Sequence, residues 1–496
     1  MMKKLKLKNI IGYSCVNFLG GGAQTLISAW LMYFYTTLCV LSPVQAGLIF
    51  SCARLIDGVC NPVMGFISDN FGKTFLGKKF GRRRFFILIG APLILVIFPI
   101  LWTTGHPFSF YFILNLVYEA IFTMIIVPSA TLPTEMTKVA SERSKLIGAQ
   151  QYVGILASTL SAFIPGRMFL AYGKNSPKSF FLTGLMYAIV ISLALLVEYA
   201  LTFEQKDISY EDSATSIGQI FKKLILDITS SLRIRAFRLH CVMMGLGGIF
   251  KQLTSGVFTY YVIFVLMLSS VTTSYISSAA TLISAIGLVA YISIAYKKGG
   301  PKAFRISTVI VFISLIGYTA LALTGHSSYT VVLLTIFAMI NTLGRTGIDF
   351  VPTYQLTFMA DIDEAVTAHR REGIFTGVNS LLSKVAAAVE AAVLGIVLSA
   401  FGFKKGVSIQ SHSAIMGIMI VTVVVPFVLL AIAWIATVKL KLNTQNHKIL
   451  VTEIGRLKNG GSMNDATPEV KKVFKELTGW EYEKCWGHNN VGYKNE

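Results

Sequence analysis

Charged residues are scarce in this chain. Asp, Glu, Lys and Arg make up 14% of its 496 residues, whereas they make up about a quarter of a typical soluble domain. Apolar residues make up 54%, and the mean hydropathy is +0.65. A helix needs about twenty apolar residues to cross a bilayer, and the sequence contains roughly a dozen runs of that length. The composition therefore excludes an ordinary soluble protein and predicts an all-α membrane protein.

Motifs of nucleotide-binding and hydrolytic enzymes are lacking as well. None of the patterns GxxxxGK[ST], HExxH and GxSxG occurs in a plausible setting. The triple glycine at 20–22 lies within the first apolar run rather than after a strand, so it is not a nucleotide loop. We therefore expect no enzyme and no cofactor, and movement of a solute would be driven by solute or ion gradients.

Cysteine is sparse and scattered. Six cysteines, mostly within apolar runs, have no spacing typical of a metal site or a disulfide framework; they are Cys15, Cys39, Cys52, Cys60, Cys241 and Cys485. We expect them to pack as small apolar residues.

The apolar runs predict twelve membrane spans. A longer polar interval divides them into two groups of six, and two six-helix halves joined by a linker are the layout of the major facilitator fold. We expect an N-terminal half at 1–202, a cytoplasmic linker at 203–236, a C-terminal half at 237–438 and a cytoplasmic tail at 439–496. The predicted spans lie near 10–39, 44–67, 86–104, 108–133, 147–172, 179–202, 237–266, 273–296, 306–324, 328–358, 373–402 and 411–438.

Topology explains the net charge of +20. Twenty-five Lys and Arg residues lie in the N-terminus and in the short loops on its side, against four in the opposite loops. Because cytoplasmic loops are enriched in Lys and Arg, both termini are predicted to be cytoplasmic. The basic excess thus indicates orientation, and we expect no nucleic-acid partner.

The tail carries helix signals of its own. Thr467-Pro468 predicts a helix start and Gly479 a stop. The apolar residues between them form one stripe, Val470, Val473, Phe474 and Leu477. We expect short amphipathic helices packed on the cytoplasmic face; a docking site for a regulatory partner is the alternative.

Eight ionisable residues lie well inside the predicted spans. Such residues are costly in a bilayer and usually mark a transport path. Four are cationic and four are anionic, so the interior can be neutral overall; they are Arg54, Asp57, Glu119, Lys251, Arg345, Asp349, Lys384 and Glu390.

Spacing constrains how these charges can pair. Arg54 and Asp57 lie three residues apart, and Arg345 and Asp349 four apart, so each pair can share a helix face as a structural ion pair or as part of a site. The helix breakers around Asp57, which include Pro62, would loosen backbone hydrogen bonding beside a cavity.

Three further charges have no partner on their own helix. Lys251 and Glu119 stand alone in their spans, and a contact between them across the two halves is conceivable. Glu390 lies six residues after Lys384, an offset that puts the two side chains on different faces, so we do not expect them to pair.

Several aromatic side chains within the spans could stack on a sugar ring, although most aromatic residues in such a chain serve packing. The candidates are Trp30, Tyr33, Tyr152, Tyr260 and Tyr261.

Several segments resemble one transporter family. They are Leu31-Met32-Tyr33-Phe34-Tyr35-Thr36, Arg54-Leu55-Ile56-Asp57 with Asn61-Pro62 and Gly65, Pro128 with Leu132 and Glu135, Glu142-Arg143, Ala360-Asp361-Ile362-Asp363, Arg370-Arg371-Glu372-Gly373 and Lys384. Between about residues 10 and 440 the chain is similar to the glycoside–pentoside–hexuronide:cation symporters typified by melibiose permease. The resemblance implies a twelve-helix major facilitator fold and sugar uptake coupled to Na⁺, Li⁺ or H⁺.

The resemblance also implies a cation site. In the family two acids one turn apart on the second helix combine with a Thr on the fourth and a Lys on the eleventh. The first acid matches Asp57, the Thr matches Thr123 and the Lys matches Lys384. The second acid is Asn61 here, which offers a carbonyl oxygen to Na⁺ but cannot carry a proton. Any metal ion expected is thus a transported Na⁺ at Asp57.

The sugar-binding pattern of the galactoside carriers is not retained. Their acids on the first and fourth helices fall at Gly21 and Ile126, and their Arg on the fifth at Gln151. A galactoside is therefore not expected, and an acidic sugar such as a uronide is a candidate, because buried cations attract carboxylates strongly. The residues predicted to contact the solute are Gln151, Lys251, Glu119, Arg345, Asp349, Trp30 and Tyr152.

Together these features predict a monomeric, multi-pass symporter of the cell membrane. It would import a sugar, glycoside or uronide, driven by a Na⁺ or H⁺ gradient, with the solute and the lipid bilayer as its partners. The alternatives are an uncoupled facilitator disabled at Asn61, a carrier of an amphiphile such as a lysolipid, and a non-transporting sensor that signals through its tail.

Overall fold

The computed structural model describes residues 5–137, 140–173, 176–204, 225–226, 228–324, 329–369, 372–489 and 491. Most of the predicted linker at 203–236 and the basic pair at 370–371 lie outside these ranges.

The described chain is helical throughout, and long helices account for almost all of it. The first helical region, α1, runs over 7–37 as Leu7–Ser14, Phe18–Ala23, Gln24–Leu26, Ile27–Leu31 and Met32–Thr37, with π-helical turns in the second and fourth segments. The long helices that follow are α2 Pro43–Asn70, α3 Arg84–Ile100, α4 Phe108–Met136, α5 Ala140–Tyr172, α6 Pro177–Leu201, α7 Arg235–Tyr260 with its π-helical extension Tyr261–Val265, α8 Ser270–Lys298, α9 Gly300–Thr324, α10 Thr330–Thr367, α11 Glu372–Ala400 and α12, which comprises His412–Met419, Ile420–Val424 and Val425–Lys439. Two tail helices complete the set, α13 Thr444–Lys458 and α14 Pro468–Thr478.

Most of these helices meet the requirements for crossing a bilayer. Among the described residues nine are long and apolar enough, and α2 makes a tenth if its two bent parts count as one span. Helix α3 is apolar but only 17 residues long. The all-helical membrane architecture predicted from composition is confirmed.

Helix α2 positions the most polar part of the interior. It begins with a capping box, in which the Gln45 backbone N–H donates to Ser42 Oγ (3.2 Å) and the Ser42 N–H donates to Gln45 Oε1 (3.0 Å), with Pro43 in the first turn. Between Gly58 and Val63 the helix bends by 43°. Because the proline at position 62 has no N–H to donate, this is where a bend is expected.

The two halves approach closely on the side of the 38–42 loop. A Cβ atom at Gly395 of α11 would lie 2.6 Å from the Pro43 carbonyl oxygen and 3.2 Å from the Cα of Gly47 on α2. On the other flank the backbone N–H of Gly166 on α5 donates to Ser274 Oγ on α8 (2.9 Å). Glycine is needed at 395 because no side chain fits between the two backbones.

The described residues show no comparable approach at the other ends of the same helices. A Cβ atom at Gly65 of α2, Gly148 of α5 or Gly377 of α11 would meet no heavy atom of the described chain within 4 Å. Among the described residues the halves are thus in contact on the 38–42 side, and these three positions on the side that carries the tail make no such contact.

The tail packs on the end of the C-terminal half that lies opposite the 38–42 loop. Helix α14 has Thr467 as its cap and Gly479, with φ of +90°, as its stop, and the buried part of its stripe is Val473, Phe474 and Leu477. These side chains belong to one apolar cluster with residues of α7, α10 and α11. The backbone N–H of Trp486 donates to Ala365 O at the end of α10 (2.9 Å).

Candidate functional site

Three helices contribute to a charged centre around Asp57. This aspartate of α2 is fully buried. The Thr123 hydroxyl of α4 donates to its Oδ1 atom, and the Lys384 ammonium of α11 forms an ion pair with its Oδ2 atom. Lys384 also lies over the Phe122 ring, 5.7 Å from its centroid. Three of the four residues predicted for a cation site thus lie in direct contact.

Asn61, the fourth, lies one helical turn beyond Asp57 at the bend of α2. Its side chain is half-buried, and no residue in the described ranges forms a hydrogen bond with it. Residues four apart share a helix face, so the amide is on the side of the aspartate.

Arg54 pairs with α4 and not with its own helix. Its Nη1 atom lies 2.8 Å from Glu119 Oε1, and its Nη2 atom donates to Gln24 Oε1 on α1 (2.6 Å). The Arg54–Asp57 bridge that the spacing allowed is therefore not the one formed, because the neighbouring helices supply a partner for each charge.

The C-terminal half has its own charged group. Lys251 Nζ lies 2.6 Å from Asp349 Oδ1, and Arg345 Nη1 donates to Ser255 Oγ (2.8 Å). The conceivable Lys251–Glu119 contact is wrong for this conformation, and Asp349 pairs with Lys251 of α7 rather than with Arg345 one turn earlier. Both side chains of the Lys251–Asp349 pair are partly open to solvent.

Two cavities lie beside these groups. The central cavity lies between the halves and is lined by Ile27, Ser28, Met32, Phe50, Arg54, Gln252, Gly256, Ala387, Glu390, Ala391 and Leu394. The second cavity lies in the C-terminal half and is lined by Met244, Gly247, Gly248, Lys251, Gln252, Ile348, Asp349, Pro352, Thr353, Asn379 and Ser383. Gln252 lines both, so the two cavities adjoin at this side chain.

Five polar residues of these cavities were missed by the sequence reasoning, namely Ser28, Gln252, Thr353, Asn379 and Ser383. Asn379 and Ser383 lie four residues apart on α11, and Lys384 follows directly. Their position on one face of an otherwise apolar helix is the sequence pattern that could have identified them.

The other predicted contacts lie away from both cavities. Trp30 is buried and packs edge-on against Phe169 and Phe180, with ring centroids 5.1 and 6.1 Å apart. Gln151 and Tyr152 are exposed on α5. In this conformation Trp30 is a packing residue, and no described contact joins the two α5 residues to the charged groups.

Comparisons with known proteins agree with this architecture. A family model described as MFS/sugar transport protein matches residues 12–444. The uncharacterized symporter YnaJ of Bacillus subtilis is 24% identical over 467 residues, which cover 91% of this chain and 96% of that one. The isoprimeverose transporter of Lactiplantibacillus pentosus is 22% identical over 460 residues, 88% of this chain and 89% of the relative.

A solved structure shares the fold. The crystal structure of nucleoside transporter NupG superposes on this chain with a TM-score of 0.61 at 11% sequence identity. The superposition covers 86% of this chain and 99% of the NupG chain. Because the family match extends over most of the chain, the protein belongs to the MFS/sugar transport family and is a multi-pass transporter of the cell membrane.

Proposed function

We propose that this protein is a symporter that imports a carbohydrate-like solute together with a cation, through twelve spans with both termini in the cytoplasm. The observation that carries the proposal is the ion pair between Asp57 and Lys384, because it joins the N-terminal half to the C-terminal half inside the membrane. An ion pair across the two moving halves is broken or weakened whenever either partner binds something else.

Coupling would then work by competition for Asp57. A cation that enters the centre replaces the Lys384 ammonium, with the Thr123 hydroxyl and the Asn61 carbonyl as further oxygen ligands. The released Lys384 is left unpaired in the membrane interior, which is costly. A solute that compensates the positive charge of Lys384 stabilises the carrier with the cation bound. Binding of the solute and binding of the cation therefore favour each other.

The solute would occupy the adjoining cavities. Gln252, Asn379 and Ser383 offer donors and acceptors to sugar hydroxyls. With two cations and one carboxylate, the group formed by Lys251, Arg345 and Asp349 carries one net positive charge, to which a uronide carboxylate is complementary. The name of the Lactiplantibacillus pentosus relative, isoprimeverose transporter, supports a carbohydrate as the solute class.

The rival functions are separated by a binding assay. We would measure thermal stabilisation of the purified protein by a solute panel of isoprimeverose, methyl glucuronide and lysophosphatidylcholine, with and without Na⁺ and at two pH values. A ligand at a hundred times its Kd that binds only the folded state stabilises it by about 2.7 kcal/mol. We expect a carbohydrate response that is enhanced by Na⁺ or by low pH and is altered in Asp57→Asn.

Other responses would change the assignment. Carbohydrate binding that ignores both ions would identify a facilitator, and a response to lysophosphatidylcholine alone would contradict the carbohydrate proposal. Asp349→Asn is the comparison variant, because it removes a carboxylate of the solute cavity and leaves the Asp57 centre intact; it should change the solute response and keep its enhancement by Na⁺.

A further inference from the structure

The charges that meet around the central cavity do not balance. Arg54 pairs with Glu119, and Lys384 pairs with Asp57. Glu390 is the third carboxylate of this region and lines the cavity together with Arg54. Two cations and three carboxylates leave one net negative charge when every group is ionised.

The excess charge is on Glu390. Across the part of the chain that the structure describes, its carboxylate has neither an ion pair nor a hydrogen bond. Arg54 faces Glu390 but forms no ion pair with it, because one terminal guanidinium nitrogen is engaged by Glu119 and the other by Gln24. An ionised carboxylate left unpaired inside a membrane protein is costly.

The surroundings of Glu390 suit a proton better than a metal ion. Its Oε1 atom lies close to the backbone of Gly256 on α7, where a Cβ atom would come within 3.0 Å. The charged or titratable groups facing it are Arg54 of α2 and Tyr260 of α7, and α1 contributes the neutral Ser28. Na⁺ and similar ions require several oxygen ligands, whereas one carboxylate suffices to hold a proton.

We propose that Glu390 is a protonation site in the solute cavity, and that a proton binds there together with the solute. Protonation converts the carboxylate to the neutral acid. The two cations and the two remaining carboxylates around the central cavity then balance. This role is separate from cation binding at Asp57, and its link to the solute rests on the proposed transport function.

Infrared spectroscopy tests the protonation directly, with the proton as the only probe. The carbonyl stretch of a protonated carboxyl group is followed while the pH of the reconstituted protein is raised. We expect Glu390→Gln to remove one such band and Glu390→Asp to retain it at a shifted position. Glu469→Gln, on the exposed start of α14, is the control and leaves the band assigned to Glu390 unchanged. A spectrum of Glu390→Gln identical to that of the wild type would overturn the proposal.

The link to the solute is tested by binding across pH. Above the pH at which Glu390 loses its proton, solute affinity in the wild type falls by about tenfold per pH unit, as linkage of one proton requires. We expect Glu390→Gln to bind with an affinity independent of pH and Glu469→Gln to keep the wild-type slope. A slope retained in Glu390→Gln contradicts the assignment.

The two proposals fail in different ways. If no member of the solute panel binds to the wild type, the transport proposal fails, and the infrared experiment still decides whether Glu390 carries a proton. If a carbohydrate binds and the Glu390 band is absent, the protonation site fails while the transport proposal stands.

Discussion

A single methyl group at Gly395 should prevent the halves from closing on the 38–42 side. The added Cβ atom would lie 2.6 Å from the Pro43 carbonyl oxygen and 3.2 Å from the Cα of Gly47. Carbon atoms in favourable contact are about 3.5–4.0 Å apart. Both obstacles are backbone atoms, so no change of rotamer relieves the clash, and α2 and α11 must separate.

The size of the effect follows from the cost of overpacking. An extra methylene in a well-packed interface costs about 1–3 kcal/mol. This cost is present only in the conformation closed on that side, so Gly395→Ala should shift the conformational equilibrium by about 5- to 150-fold toward the opposite state. Gly377→Ala on the same helix is the matched control, because a Cβ atom there meets nothing within 4 Å in the described chain.

Distances between spin labels measure this shift. Lys178 and Val407 are exposed at the 38–42 side, one in each half, and each is replaced by Cys in a variant without the native cysteines. In Gly395→Ala the longer distance between the two labels should become more populated. The labelled protein with Gly377→Ala should give the same distances as the labelled protein with both glycines. Equal distributions in all three proteins would refute the inference that this contact closes the carrier.

The remaining predictions concern the charged centre and the tail. Lys384→Ala leaves Asp57 buried without its partner, which should destabilise the protein by about 3–5 kcal/mol in thermal unfolding. The double variant that also carries Asp57→Asn should regain most of this stability. If the double variant regains none, the pairing is contradicted. Hydrogen bonds from Arg456 lower the pKa of Glu453 in the tail, so the stabilisation that Glu453 provides is complete above its ordinary pKa and is lost as the pH falls through the folded value. Proteolysis of the tail should therefore accelerate in acid in the wild type and depend less on pH in Glu453→Gln; equal pH profiles would argue against this role. Burial raises the pKa of the Cys485 thiol to about 11, so maleimide should label Cys485 slowly at pH 8 and faster once the tail is undocked; rapid labelling of the intact protein would contradict the packed tail.

Composition and hydropathy were enough to predict the helical membrane class, because a dozen apolar runs have no other stable arrangement in a bilayer. The resemblance selected Asp57, Thr123 and Lys384, which the structure places in contact. Asn61 at the bend of α2 remains a predicted ligand.

The pairing of charges was beyond sequence reasoning. Spacing along a helix shows on which face a side chain lies, but not which neighbouring helix that face contacts. For this reason the sequence suggested Asp57 as the partner of Arg54, whereas Arg54 pairs with Glu119. The same limit applies to Trp30, whose aromatic neighbours come from other helices. For Glu390 the sequence showed only that it does not pair with Lys384; its place on the cavity required the structure.

Gradient-driven accumulation in proteoliposomes tests the central claim most directly. Wild-type protein with an imposed Na⁺ or H⁺ gradient should concentrate a carbohydrate of the solute panel above its external level. Asp57→Asn should lose the accumulation driven by Na⁺ and still catalyse exchange of labelled for unlabelled solute without a gradient, because the solute cavity is intact. Undiminished Na⁺-driven accumulation in Asp57→Asn, or wild-type uptake that stops at equal concentrations under both gradients, would contradict coupling through the Asp57 centre.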